Sequence, residues 1–334
     1  MSLSLNQMKW LKLILRLLVT SGALVWVLYL VDLSQVKAAM EQADWTFLVL
    51  VWLFNAALFW LRSYRFQLIL KKLGCFASVN TLFSASAMMA LYGMVMPGML
   101  SLAAKWYVIK KATGKGGHVV SAMVYNQVTI MVVMVAFGLL ALGVTNPLAQ
   151  LDLTETQITW LSCTAICLFL IILGAFAFLL SQRAGAKMDR VLLRTVRLTP
   201  EIFRKKAAPI LEYLQIFRTL GPGFHITILT IGLLTGALGG GVLYMLAAKA
   251  THIQVPFIAY IWMHVIIFVL GRIPVTLSNC GLREFVLMGL LGVYGVDKPV
   301  ALLMSMIIFS AHIFMAFIGA LYQISGSLAK KRAS

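Results

Sequence analysis

Residues 119–144 read VVSAMVYNQVTIMVVMVAFGLLALGV and contain no charged side chain. An α-helix rises about 1.5 Å per residue, so about 20 apolar residues cross the roughly 30 Å hydrocarbon core of a bilayer. This stretch is longer than that minimum. It predicts a membrane-spanning helix and indicates that the fold is surrounded by lipid.

The whole chain has the composition that this stretch suggests. Of its 334 residues, 61% are hydrophobic and only 11% are charged, and a soluble domain of that composition would expose much of its apolar surface. The net charge of +18 would be compatible with nucleic-acid binding. The basic residues, however, lie in clusters beside the apolar segments, as the flanks of membrane spans do. Anionic membrane lipid is therefore the expected partner.

Six segments are long and apolar enough to cross the membrane, which predicts an all-α polytopic membrane protein. They are residues 13–31, 45–61, 119–144, 158–181, 224–248 and 300–325. With both termini in the cytoplasm, most of the 28 Lys and Arg residues fall inside, as the positive-inside rule requires. We expect a single integral domain, 1–334, in the cytoplasmic (inner) membrane.

Residues 76–97 form a further apolar segment that we predict to be a re-entrant hairpin. Basic clusters flank it on both sides, so a single crossing would place one cluster outside. A hairpin that starts and ends in the cytoplasm avoids this. Its break is predicted near Gly93 or at Pro97-Gly98, where proline removes a backbone donor and glycine adds flexibility.

Residues 256–296 form a second predicted re-entrant hairpin, which starts from the opposite side of the membrane. An apolar run to Leu270 precedes Gly271-Arg272-Ile273-Pro274, and the polar stretch from Thr276 to Glu284 follows. We predict the breaks of this hairpin at Pro274 and Gly281. Both hairpins contain Pro-x-x-Leu-Ser followed by a cation, at Pro97 and at Pro274. This echo suggests an inverted repeat.

Two polar segments complete the predicted organisation. Residues 32–44 have apolar side chains at helical spacing before Asp44-Trp45, which predicts an outer interfacial helix followed by a helix cap. Residues 183–222 form a basic cytoplasmic loop. Within it, Thr199-Pro200-Glu201 is typical of a helix start.

The leading candidate site consists of Arg272, Arg283 and Glu284. A charge at membrane depth costs about 2.5–3.5 kcal/mol on insertion scales, so these residues need an explanation. In one interpretation the arginines bind an anionic group while Glu284 orients an arginine or carries a proton. In the other, an Arg-Glu pair only stabilises an irregular loop.

Three more cations are candidates on the cytoplasmic side. Arg62 and Arg65 lie three residues apart and can both present guanidinium groups to a lipid phosphate, and Lys105 follows the first predicted break. Ordinary anchoring of a span and a solvated loop lysine are the alternatives. We identify no metal site, no cofactor and no phosphate-binding loop.

These residues resemble the lysylphosphatidylglycerol synthase transmembrane region, a family of flippase-like membrane proteins. The resemblance rests on Asp44-Trp45, Arg62-x-x-Arg65, Pro97-Gly98 and Gly281-Leu282-Arg283-Glu284. The family has an acid after the first break that is absent here. The chain therefore resembles a divergent member of this family. We expect that it lacks the soluble synthase domain.

The resemblance implies a lipid-translocating role, and we expect a flippase or scramblase for an anionic, aminoacylated or polyprenyl-linked lipid rather than an enzyme. Two alternatives remain open. One is a polyprenyl-phosphate-dependent membrane transferase that uses Asp32, Glu41 or Asp44 as a base. The other is a noncatalytic accessory protein whose basic loop docks a lipid synthase, a glycan synthase or a glycosyltransferase.

Overall fold

The computed structural model describes residues 33–95, 98–145, 154–180, 215–272 and 280–332. The regular elements in these ranges are helices, which confirms the all-α class. They are α1 (Leu33–Gln42), α2 (Trp45–Lys72), α3 (Val79–Val95), α4 (Gly98–Thr113), α5 (Gly116–Thr145), α6 (Glu155–Leu180), a 3-10 turn (Phe217–Thr219), α7 (Pro222–Leu233), a π-helical segment (Leu234–Leu238), α8 (Gly239–Ala250), α9 (Phe257–Leu270), α10 (Leu282–Gly292) and α11 (Lys298–Arg332).

Five helices in the described ranges are long and apolar enough to cross a membrane: α2, α5, α6, the continuous run from α7 to α8, and α11. They coincide with five predicted crossings, while the predicted crossing at 13–31 lies outside the described residues. Helix α2 continues to Lys72, past the predicted end at residue 61. Beyond residue 61 the helix carries Arg62 and Arg65, and both donate hydrogen bonds to acceptors on neighbouring helices.

Residues 76–97, the first predicted hairpin, contain α3, and α4 follows directly. Helix α3 has 17 residues and passes through Gly93 without interruption, so a break at Gly93 is wrong. Helix α4 begins at Gly98 and has 16 residues, while Pro97 lies outside the described residues. A Cβ on Gly93 would lie 3.8 Å from the Ser101 side chain, so α3 and α4 approach each other here. Whether this pair is re-entrant stays a prediction.

The second predicted hairpin also contains two short helices. Helix α9 has 14 residues and α10 has 11, and both are shorter than the roughly 20 residues of a crossing. The two helices pack against each other. Pro274 lies outside the described residues. Glu284, expected in a polar loop, instead lies in the first turn of α10.

The chain divides into two compact units. One contains the described parts of Met1–Ala57, Ser86–Lys105 and Gly240–Ser334, and the other contains those of Leu58–Ala85 and Trp106–Gly239. In the first unit, α10 and α1 both pack against α11. The start of α2 is fixed to α11 because Trp52 donates to Ser310 at 2.8 Å and Asn55 donates to the Ala311 carbonyl at 3.0 Å.

The second unit has its own apolar core, in which α2, α4, α5 and α7 meet. Ile69, Ile109, Tyr125 and Ile228 are completely buried there. Cys75, in the turn after α2, belongs to the same core. Burial raises the pKa of the Cys75 thiol, so it stays protonated at neutral pH and is a poor nucleophile.

The helix predicted at residues 32–44 corresponds to α1, which ends at Gln42. Its interfacial position stays a prediction. The Asp44 carboxylate accepts a hydrogen bond from the Thr46 backbone N–H at 2.9 Å, so it caps α2 as expected. Most of the basic loop at 183–222, including the helix start at Thr199, lies outside the described residues.

Candidate functional site

Arg283 and Glu284 form a buried ion pair at the start of α10. Both residues are 6% exposed, and the Arg283 guanidinium donates to the Glu284 carboxylate. Arg283 Nε also donates to the Ser305 hydroxyl at 3.0 Å, and its guanidinium carbon lies 4.7 Å from the centre of the Phe309 ring. The positive charge predicted to receive an anion is therefore already compensated within the protein.

Gly281 orients this ion pair. Its backbone N–H donates to Glu284 Oε2 at 2.7 Å, so the carboxylate binds Arg283 through one oxygen and the helix start through the other. Gly281 has φ = 81° and ψ = −51°, a conformation that side chains with a Cβ rarely adopt. Glycine is required here for the carboxylate to reach the backbone.

We expect Gly281→Ala to destabilise the protein by about 1–3 kcal/mol, the cost of a strained backbone conformation. Gly292→Ala at the end of α10 is the matched control, because a Cβ there meets nothing within 4 Å. Thermal unfolding of both variants in detergent measures the difference. Equal unfolding temperatures would contradict the role of Gly281.

Arg272 is exposed, just after α9. Its guanidinium carbon lies 4.3 Å from the centre of the Phe268 ring, four residues earlier. Arg283 contacts Glu284, Ser305 and Phe309 instead. The two arginines thus make separate sets of contacts among the described residues, where the sequence suggested that they receive one anion together.

Arg65 is the buried cation without a carboxylate in the part of the chain that the structure describes. It is 2% exposed. One guanidinium nitrogen donates to the Thr129 hydroxyl at 2.7 Å and to the Asn126 carbonyl at 3.1 Å, both on α5. Its Nε has no hydrogen-bond partner. A buried charge held only by neutral acceptors retains most of its attraction for an anion.

Gly232 makes room for this guanidinium. A Cβ on Gly232 would lie 3.0 Å from an Arg65 terminal nitrogen. Glycines recur every four residues at 232, 236 and 240, a spacing that favours close helix packing. At Gly232 the missing side chain accommodates a cation.

Arg62 binds a backbone carbonyl in the π-helical segment. Its Nε and a terminal nitrogen both donate to the Thr235 carbonyl, at 3.1 and 2.7 Å. In a regular α-helix the Gly239 N–H would take this carbonyl, but it donates to Gly236 instead. The π-helical segment therefore presents an acceptor to Arg62. Such segments are frequent at functional sites.

The sequence around these arginines contains no acid. Between Trp45 and Leu151 there is no Asp or Glu, while the basic residues are Arg62, Arg65, Lys71, Lys72, Lys105, Lys110, Lys111 and Lys115. A count of acids along the chain would have favoured Arg65 over Arg283 as the uncompensated cation. The π-helical segment and Thr129 have no comparable signal in the sequence.

The remaining predicted residues are less informative. Lys105 is half-buried within α4, so the alternative of a solvated loop lysine is wrong, while its role as a binding cation stays a prediction. Gly98 is the first residue of that helix, while Pro97 and Pro274 lie outside the described residues. No group of three or more His, Cys, Asp or Glu residues that could hold a metal is present in the described ranges.

The long apolar helices and the buried cations between them define this chain as an integral membrane protein. The chain belongs to the family of the lysylphosphatidylglycerol synthase TM region, whose family model matches residues 13–320. Neither a curated protein nor a solved structure matches it.

Proposed function

We propose that this protein moves an anionic lipid across the cytoplasmic membrane as a flippase or scramblase. The observation that carries the proposal is Arg65, a 2% exposed cation whose Nε has no partner and which has no carboxylate counterion among the described residues. An anionic headgroup would supply the missing negative charge. The lipid class is an anionic, aminoacylated or polyprenyl-linked lipid.

Arg62 and Arg65 have different roles in this proposal. Arg62 is half-buried, so it meets the lipid phosphate first and exchanges the Thr235 carbonyl for a phosphate oxygen. Arg65 lies deeper and attracts the same phosphate through its field. Guanidinium groups suit this task because they bind phosphate through two parallel hydrogen bonds. The acyl chains remain in the bilayer and no covalent chemistry occurs.

We expect Arg65→Gln to slow the transfer of fluorescent phosphatidylglycerol in proteoliposomes by about tenfold or more, since a hydrogen bond to a charged group contributes about 1.5–3 kcal/mol. Arg65→Lys keeps the charge and should retain much of the rate. Lys37→Gln is the matched control, because this exposed lysine lies on α1. Dithionite quenching of the label measures the transfer.

The same assay separates this site from the alternatives. If Arg272→Gln slows transfer more than Arg65→Gln does, the anion binds in the second hairpin. If folded wild-type protein moves no lipid faster than empty liposomes do, the flippase proposal fails. An accessory role would then be tested by pull-down of a synthase with and without residues 183–218.

No observation favours the transferase. Among its three candidate bases, Asp44 is engaged in capping α2 and Glu41 is exposed on α1, while Asp32 lies outside the described residues. The proposed function therefore remains transport.

A further inference from the structure

A cluster of lysines and aromatic residues lies at the ends of α2 and α4 in the second unit. Lysines occupy the last turn of both helices, and one more follows α4 before α5 begins. We call the following residues the lysine surface: Lys71, Lys72, Lys110, Lys111, Lys115, Phe76 and Tyr107. All seven are exposed.

The two helix ends are held together by specific contacts. Lys115 Nζ donates to the Gly74 carbonyl at 3.0 Å, which joins the turn after α2 to the turn after α4. The Lys110 ammonium lies 4.8 Å from the centre of the Trp106 ring, and Trp106 Nε1 donates to the Gly116 carbonyl at 3.0 Å. The lysine surface is thus preorganised.

The exposed aromatic residues separate this surface from ordinary helix ends. Lysines in a last turn are expected because they complement the helix dipole. That effect does not explain Phe76, which is 76% exposed, or Tyr107, which is 63% exposed. Cations beside exposed aromatic rings are typical of protein surfaces in the headgroup layer of a membrane.

The length of α2 places the lysine surface at this depth. Its 28 residues span about 42 Å, which matches the roughly 40–45 Å of a bilayer that includes both headgroup layers. Tryptophan is enriched at membrane interfaces, and with Trp45 at one interface a helix of this length brings Lys71 and Lys72 to the headgroup layer of the other leaflet. Phe76 lies just after the turn that ends α2.

We propose that the lysine surface binds the headgroups of anionic phospholipids, with Phe76 inserted at the interface. The stretch from Trp45 to Leu151 contains no acid, so the counterions of these lysines come from outside it. Membrane depth favours lipid phosphate over an acidic protein as their source. This surface is separate from Arg62 and Arg65 and does not depend on translocation.

The test is lipid retention by the full chain. The protein is placed in nanodiscs of phosphatidylglycerol and phosphatidylcholine with identical acyl chains, extracted in mild detergent and examined by native mass spectrometry. In Lys71→Gln/Lys111→Gln, the ratio of retained phosphatidylglycerol to phosphatidylcholine should fall about thirtyfold, which corresponds to about 2 kcal/mol for the two lysines together.

Lys37→Gln/Lys298→Gln is the matched control, since it removes two exposed lysines from the first unit. Its retention ratio should equal that of the wild type. Circular dichroism and gel filtration confirm that both variants are folded. Unchanged retention in Lys71→Gln/Lys111→Gln would overturn the proposal and would leave an acidic protein as the partner, and an equal loss in the control would also overturn it. Translocation rates have no bearing on either result.

Discussion

Glu284→Gln should destabilise the protein by about 3–5 kcal/mol, the usual cost of removing one partner from a buried ion pair. Glutamine has nearly the same shape as glutamate, so the substitution removes the negative charge without creating a cavity. Arg283, which is 6% exposed, would then be a buried cation held by neutral groups such as the Ser305 hydroxyl and the Phe309 ring. Thermal unfolding in detergent measures the loss.

A rescue variant distinguishes this electrostatic effect from damage to the start of α10. Arg283→Met with Glu284→Gln removes the unpaired charge, and replacement of a buried ion pair by apolar groups is often neutral or stabilising. The double variant should therefore be more stable than Glu284→Gln alone. If Glu284→Gln unfolds at the wild-type temperature, the ion pair makes no net contribution to stability and the prediction is wrong.

Gly319→Ala should also cause a large loss of stability, because α11 lies directly against the backbone of α3. A Cβ on Gly319 would lie 2.3 Å from the Ala87 carbonyl oxygen and 2.6 Å from its carbon. Backbone atoms cannot rotate away as a side chain does, so the helices must separate. Overpacking usually costs about 1–3 kcal/mol, and we expect the upper end of that range.

Gly289→Ala is the matched control for Gly319→Ala. Gly289 lies within α10, and a Cβ there would meet nothing within 4 Å. Because alanine favours the helix by about 0.5–1 kcal/mol over glycine, this variant should unfold at the same or a higher temperature. Opposite signs for the two variants would confirm close packing of α3 and α11, while equal stability would contradict it.

The position of the uncompensated charge changes where a lipid headgroup would bind. The sequence favoured Arg283 because it lies within an apolar region, but Glu284 and Ser305 neutralise and bond it. Arg65, which the sequence could not separate from ordinary membrane anchoring, has neutral partners on α5 instead. The resemblance to a lipid-handling family directed attention to both arginines but did not distinguish their environments.

The sequence alone determined the membrane class, the positions of five long helices and the cap at Asp44, because hydropathy and capping are properties of neighbouring residues. The sequence also predicted a break in the first hairpin, either near Gly93 or at Pro97-Gly98. Helix α3 runs through Gly93 without interruption, so the break does not lie at Gly93. A single glycine in an apolar helix does not break it when both neighbouring turns keep their hydrogen bonds.

Only the tertiary structure decided which neutral acceptors the buried and half-buried arginines bind. Arg62 reaches an acceptor 173 residues away, Arg65 reaches one 64 residues away, and Arg283 reaches Ser305 22 residues away. Such partners depend on which helices meet in space, and the apolar pattern of each helix does not specify them. The sequence thus shows that the chain is a membrane protein, while its folded contacts decide which acceptors each arginine binds.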